Sequence, residues 1–377
     1  MNITLLFTYN ISLEEWSYKG LIDRELLIYH RFIDKGHKVN FITYGGTDDL
    51  RHQEKTKDIR IFPVYERAKR SRCEAVNILK SLFIPFKFRD VFKNTDIIKI
   101  NQMQGAWVGL IAKYIYHKKL VVRCGFEWYR NAYIRRKKTF AVFKNGLVYI
   151  LEWLVYKLCD EIIISNETDA EFIKSNFNIR KSKVHLIRNY VDTAIFKPLN
   201  SVKKEGNRLL YIGRFEPRKN ILNILKAVKD TLYALDIIGY GEEKDLLNNF
   251  VRDNSLNVVF LDILPNNKLP TLLNKYNALI LASLYENSPK VILEAMSCGV
   301  PVIGADVSGI RELIRHRENG FLCDTDPSSI RAAVDSVMRD PVLRNNMAES
   351  ARRYIMENCD IEIILEKEQG IYNSLTN

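Results

Sequence analysis

Short runs of β-branched and aliphatic residues alternate with segments of helical period along the whole chain, and the alternation starts afresh near residue 208. Such a succession builds parallel sheets with helices on both faces, because parallel neighbours need long crossover connections. The strands expected in the first half are Ile3–Thr8, Val39–Thr43, Ile97–Asn101, Leu120–Cys124, Glu161–Ser165 and Val184–Ile187. Between them, residues such as Leu21, Ile22, Leu26, Tyr29 and Ile33 recur with helical spacing. The second half repeats the pattern with Arg208–Gly213, Ala234–Gly239, Asn257–Leu261, Ala278–Ala282 and Pro301–Ala305. The fold class is therefore α/β: two doubly wound, Rossmann-like parallel-sheet domains, 1–197 and 198–360, around a shared cleft, with a helix over 361–377 returning to the first. Phe196–Asn207 is polar, contains Pro198, Ser201 and Gly206, and reads as the linker. A length of 377 residues suits two domains.

Charge is held unevenly. Residues 1–200 carry 35 Lys and Arg against 21 Asp and Glu, a surplus of +14; residues 201–377 carry 22 against 24, and the halves add to +12. Residues 51–150 alone hold 23 basic and 7 acidic side chains, with clusters at Arg67–Arg72 and Arg135–Lys138. A field of this sign draws anionic surfaces or substrates. The six cysteines (Cys73, Cys124, Cys159, Cys298, Cys323, Cys359) are scattered, which excludes a disulfide framework or zinc knuckle and fits a reducing compartment. The six histidines show no metal-ligand spacing and Gly-x-Ser-x-Gly is absent, so no hydrolase chemistry is written here. "MNITLLFTYN" reads as a buried strand and not as a secretion signal. The most apolar long stretch, Phe140–Ser165, is broken by Lys144, Glu152, Lys157, Asp160 and Glu161, so no spanning helix is expected.

Two segments carry chemistry. In "YIGRFEPRKN" a strand ends at Ile212, Gly213 lets the backbone turn, and Arg214 and Lys219 bring a guanidinium fork and a point charge to a helix start near Ile221. That arrangement is a diphosphate clamp. In "LASLYENSPKVILEAMSCGVPVIG" a buried strand ends at Ser283, a loop carries Glu286, and a helix opens near Ser288–Pro289. Glu294 follows Glu286 by eight residues, too far along the helix for a close acid–base pair but suited to holding two parts of one elongated ligand. Free amides of Lys290 and its neighbours in the first turn would face an anion between them.

"GRFEPRKN", "IGYGEEKDLL", the Glu286–Glu294 spacing, "AMSCGVPVIG", "GIRELI" and "IRNYVDTAIFKP" together resemble glycosyltransferase family 4, retaining enzymes with the GT-B fold. The resemblance implies that Arg214 and Lys219 bind the diphosphate of a nucleotide-sugar, Glu294 the ribose hydroxyls and Glu286 the donor sugar. Ser283 and the Asn287–Val291 backbone, with Lys290 and Val291, would line the same pocket, and Gly239 and Gly241 would admit the nucleotide closely. The chain departs from the family pattern in its first half. "YNISLEEWSYKG" holds only Gly20 where a Gly-rich loop is usual, and "VVRCGFEW" holds Arg123 where many members have a His. Arg123, Glu127, Asn101 and Gln102 are acceptor-side candidates.

The expected activity is retaining transfer of a hexose from a UDP- or GDP-linked donor to a growing cell-surface glycan on a lipid carrier. The nucleotide-sugar is a substrate, and no cofactor or metal is expected: Arg and Lys neutralise the departing diphosphate, and the Asp–x–Asp at Asp324–Asp326 reads as a helix cap. A nucleotide-sugar epimerase or hydrolase of the same fold is the alternative, and behind it a nucleic-acid-binding protein driven by the basic half. Nucleic acid is not an expected partner, since no recognition motif is present. Ile78–Lys93 and Arg135–Leu158 interleave aromatic and basic residues, which suits an anionic membrane interface. The expected location is the cytoplasm, peripheral at the inner face of the membrane.

Overall fold

Among the described residues every strand pairing is parallel, in two sheets. The computed structural model describes residues 1–125, 129–130 and 141–376, without the side chains of 141–145. The first sheet contains β1 (Asn2–Leu6), β2 (Lys38–Thr43), β3 (Arg60–Pro63), β4 (Ile97–Ile100), β5 (Lys119–Cys124), β6 (Glu161–Ile164) and β7 (Val184–Leu186), in the order β3-β2-β1-β4-β5-β6-β7. The second contains β8 (Arg208–Ile212), β9 (Ala234–Ile238), β10 (Val258–Leu261), β11 (Ala278–Leu281), β12 (Val302–Ala305) and β13 (Phe321–Cys323), in the order β10-β9-β8-β11-β12-β13. The central strands β4, β9, β11 and β12 are buried along their whole length, as strands covered on both faces must be.

All the strands foreseen are present, with ends moved by a residue or two. Two edge strands, β3 and β13, were not foreseen. They have four and three residues, and β3 ends in a proline that has no amide to donate.

The helices that matter below are α1 (Ile22–Asp34), α2 (Glu74–Ser81), α3 (Ile84–Lys87), α4 (Ala106–Tyr116), α5 (Ala141–Leu158), α6 (Ile221–Val228), α7 (Lys290–Ser297), α8 (Pro327–Arg339), α9 (Pro341–Asn358) and α10 (Ile361–Thr376). Asp326 caps α8, accepting the amides of Ser328 and Ser329 at 3.0 Å each. Among the described residues no three His, Cys, Asp or Glu side chains are grouped to hold a metal ion.

The chain divides into one unit of Met1–Ile187 with Leu365–Asn377 and another of Arg188–Ile364. The division therefore falls ten residues before the junction expected at Pro198, because Val191 and Phe196 are buried in the second unit's core. The stretch expected as a linker is stapled to that unit. Asn274 accepts the Leu199 amide at 2.8 Å and donates to the Lys197 carbonyl at 3.0 Å, and Lys204 Nζ donates to the Tyr276 carbonyl at 2.7 Å. These polar anchors have no periodicity for sequence reasoning to find.

In the first unit, residues 365–376 return to the sheet through a buried charge cluster. Lys99 on β4 donates to Glu368 of α10 at 2.6 Å, Arg123 at the end of β5 pairs with the same carboxylate, and Tyr372 donates to it at 3.0 Å. Lys99 also lies over the rings of Tyr29 and Phe32 of α1, 5.1 and 5.7 Å from their centroids. Burial pushes the Glu368 carboxyl up, but Lys99 and Arg123 outweigh it and hold the group below the usual carboxylate range. Arg123, an acceptor-side candidate from the sequence, is thus engaged in holding α10. Removing the Glu368 charge leaves two cations uncompensated in the interior, which costs about 3–5 kcal/mol. We expect Glu368→Gln to lower the urea midpoint by an amount corresponding to that cost. Because the native carboxyl is depressed, its contribution is present above about pH 4.3 and is lost as pH falls through the native value. Acid should therefore destabilise the wild type more steeply than the Gln variant, read by denaturant melts across pH.

Candidate functional site

The second sheet is wound outward from β8 and β11, which are neighbours, so the loops leaving their carboxyl ends part to opposite faces. A crevice at that switch point is where open α/β sheets take ligands. The two segments singled out in the sequence are these two loops.

After β8, Gly213 donates to the Ile238 carbonyl at 3.0 Å and Phe215 to that of Tyr240 at 2.7 Å, which ties the loop to the end of β9. A 3-10 turn, Pro217–Lys219, then ends at Asn220, whose φ of 59° is left-handed. Asn tolerates that conformation better than most side chains. Its side-chain Nδ2 donates to the carbonyls of Ala282, at the end of β11, and Thr325, at 3.0 and 2.8 Å. Leu284 donates to the Arg218 carbonyl at 2.8 Å. The loops after β8 and β11 are therefore joined by their backbones before any charged side chain is considered.

The charges sit on this frame. Lys219 is ion-paired with Glu286 through Oε1, and Ser283 Oγ donates to the same oxygen at 2.8 Å. Ser283 and Glu286 are buried and Lys219 is nearly so. Arg214 and Arg218 each meet Glu216 at 2.7 Å, with Arg214 more than half exposed. Burial pushes the Glu216 carboxyl up, but Arg218, Arg214 and Lys219 together hold it below the usual range. Three cations and two carboxylates thus share one loop cluster, a local surplus of one positive charge.

Helix α7 supplies the other wall. Pro289 occupies its cap position with extended backbone, and Lys290 and Val291 are its first residues, so the helix starts one turn position later than expected. Their amides belong to the first turn, where no intrahelical carbonyl is available. Lys290 Nζ lies over the Tyr190 ring at 5.4 Å, and Asn189 donates to the Ser288 carbonyl at 3.0 Å. Glu294, in the second turn, is buried and accepts from Asn266 Nδ2 at 3.3 Å.

Three glycines here are required by space: a Cβ on Gly241 would strike the Phe215 backbone. A Cβ on Gly239 would fall inside the carbonyl oxygen of Gly213, and one on Gly309 inside the carbonyl oxygens of Glu286 and Asn287. Gly239 and Gly241 lie against Gly213–Phe215, so all three candidate glycines belong to one packed turn. Asn220, Asn266 and Gly309 were not singled out as site residues. Asn220 and Gly309 stand within the quoted motifs, but their roles depend on partners 62 and 22 residues away or more. Among the acceptor-side candidates, Asn101 donates to Tyr29 Oη at 2.8 Å at the end of β4, Gln102 follows it half-buried, and Glu127 and Arg135–Lys138 lie outside the described residues.

Because the Gly213 amide is bonded to the Ile238 carbonyl and its own carbonyl stands where the new Cβ would be, Gly239→Ala should displace the turn that carries Arg214. We expect a loss of about 1–3 kcal/mol in stability, as for other overpacked sites, read by denaturant melts.

Two family models match the chain in succession: Glycosyltransferase Family 4 over residues 27–195 and Glycosyl transferases group 1 over residues 192–354. An uncharacterized glycosyltransferase of Methanocaldococcus jannaschii is 24% identical, over 96% of this chain and 97% of its own. The UDP-Gal:alpha-D-GlcNAc-diphosphoundecaprenol alpha-1,3-galactosyltransferase of Escherichia coli is 26% identical, over 80% and 81%. The crystal structure of HepE of Anabaena in complex with UDP superposes with a TM-score of 0.77 at 18% identity, over 99% of this chain and all of that one. With its two Rossmann-like parallel sheets, the chain belongs to the family 4 type of GT-B glycosyltransferases and is a hexosyltransferase.

Proposed function

We propose that the protein transfers a hexose from a UDP- or GDP-linked donor, with retention of anomeric configuration, to a growing lipid-linked or lipopolysaccharide-type glycan. The observation that carries the donor half is the meeting of Lys219, Arg214, Glu286 and the first turn of α7 at the β8–β11 switch point. The acceptor half draws support from the Escherichia coli relatives, named for a diphosphoundecaprenol acceptor and for an O-antigen chain. The place of work is the cytoplasmic face of a membrane. Among the described residues no helix is long and apolar enough to cross one, and each Lys or Arg of the basic half near an anionic leaflet contributes about 1 kcal/mol of attraction.

In this reading the diphosphate displaces Glu216 from Arg214 and competes with Glu286 for Lys219, while the amides of Lys290 and Val291 point at its oxygens. Glu294 accepts from the ribose hydroxyls. Glu286, released in part from Lys219, accepts from hydroxyls of the sugar. Charge builds on the diphosphate as the anomeric bond breaks, and the cations that stabilise it are already fixed by the carboxylates, so little reorganisation is needed. The acceptor hydroxyl attacks from the face the diphosphate leaves and passes its proton to the departing phosphate oxygen. These cations supply the neutralising charge without a metal or cofactor.

A thermal-shift comparison of UDP-, GDP- and ADP-sugars identifies the donor, since a ligand raises apparent stability by mass action. Nuclear magnetic resonance of the product then reads the anomer, and an inverted product defeats the mechanism. Turnover of donor with no acceptor dependence would instead support an epimerase or hydrolase.

Lys219→Ala and Arg214→Ala should each cost about 2–4 kcal/mol of transition-state stabilisation, seen in kcat/KM. Glu294→Ala should weaken binding of the free nucleoside diphosphate. Glu286→Ala should lower kcat without weakening that affinity, because its ligand is the sugar and its loss leaves Lys219 to the diphosphate. Near-wild-type turnover in the Lys219 and Arg214 variants would refute the clamp.

A further inference from the structure

Helix α5 carries apolar residues on two opposite faces, with Glu152 buried on the inner one and Lys157 exposed on the outer one. On one, Val148, Val155 and Tyr156 are buried. On the other, Leu147 (65% exposed), Ile150, Trp153, Leu154 and Leu158 stand in solvent at helical spacing. A helix at the surface of a water-soluble unit keeps its outer face polar, and one that is apolar all round is covered on both sides.

The neighbouring elements continue the pattern. Helix α5 packs on α4, which exposes Tyr114 and Ile115 near its end, and α4 packs on α3. Tyr116 donates to the Pro85 carbonyl at 3.0 Å and Trp107 to Ser81 Oγ at 2.7 Å, fixing α2 and α3 against α4. From α2 to α3 the exposed residues include Ile78, Leu79 (61%), Leu82, Phe83 (59%) and Phe86. Isolated exposed apolar side chains need no explanation, but an accumulation on adjoining elements marks an interaction surface.

The charge around it identifies the occupant. Lys80, Lys87, Arg89 and Lys93 are exposed among these apolar residues, within the 51–150 segment that holds 23 basic and 7 acidic side chains. A second copy would bring the same positive surplus against itself, since a two-fold interface pairs a patch with its own image. An anionic bilayer offers both complements: acyl chains for the apolar stripe and phosphates for the cations. We propose that α2, α3, α4 and α5 form a membrane-insertion face, held by apolar burial as well as by charge. The inference deepens the lipid-linked-acceptor reading and rests on it for its purpose, while its test needs no sugar transfer.

The full chain is sedimented with phosphatidylcholine vesicles and with phosphatidylcholine/phosphatidylglycerol vesicles at low and high salt. Two variants are compared: Leu147→Ser/Ile150→Ser/Leu154→Ser and Leu79→Ser/Phe83→Ser/Phe86→Ser. Their folding is checked by thermal melts and by the stabilisation that UDP or GDP gives. The wild type should bind the anionic vesicles and keep part of that binding at high salt, and each variant should lose about tenfold or more in partitioning. Trp153 emission should shift to the blue and be quenched by brominated acyl chains, a signal missing in Trp153→Phe. Wild-type binding by the variants, loss of all binding with salt alone, or a dimer that the serines disperse without any vesicle binding would each overturn the proposal. Vesicle binding with no nucleotide stabilisation would defeat the donor reading and leave this one standing.

Discussion

A parallel sheet wound outward from its middle must send the connections of two adjacent strands to opposite faces, and the rest of the second unit follows from where that happens. The order β10-β9-β8-β11-β12-β13 puts the parting between β8 and β11. Their carboxyl ends lie side by side, so the loop with Arg214 and Lys219 and the loop with Ser283 and Glu286 meet although 67 residues separate Lys219 from its partner. Asn220 holds the arrangement by donating to both the end of β11 and the Thr325 carbonyl. Had β8 and β11 been separated by another strand, the same residues would make two unrelated basic and acidic loops.

On that frame the carboxylates do two things at once. Three cations in a few residues would repel one another, and Glu216 and Glu286 offset this by taking Arg214, Arg218 and Lys219 as partners. The same contacts hold the cations in place. Ser283 donates to the Glu286 oxygen that also meets Lys219, so the carboxylate is held from two sides.

How much of this is legible in the sequence depends on the range of the interaction. The central strands were readable because burial on both faces writes a continuous apolar run, and Glu294 stood out because Val291, Ile292, Leu293, Ala295 and Met296 leave it no polar face. The edge strands β3 and β13 were not, since four or three residues beside a single neighbour, with a closing proline in β3, leave little pattern. The polar stretch after Phe196 looked like a linker because what fixes it comes from Asn274 and Tyr276, over 70 residues on. Arg123 looked like a site residue for the same reason: its partner, Glu368, is 245 residues away. Apolar periodicity is local and survives in one dimension, whereas a single ion pair between distant segments does not.

The return of α10 also settles where the net charge resides. Residues 1–187 with 365–377 contain 34 basic and 22 acidic side chains, a surplus of +12, which equals the surplus of the whole chain, so residues 188–364 are neutral. The unit that carries the Lys219–Glu286 cluster therefore has no net charge. Its few cations at the strand switch are partly shielded from water, where proximity and a lower effective dielectric make each worth more than a distant surface charge. The surplus belongs wholly to the first unit. It lies on the unit that also exposes Phe83, Phe86 and Trp153, and long-range attraction beside exposed apolar surface is what a charged bilayer rewards.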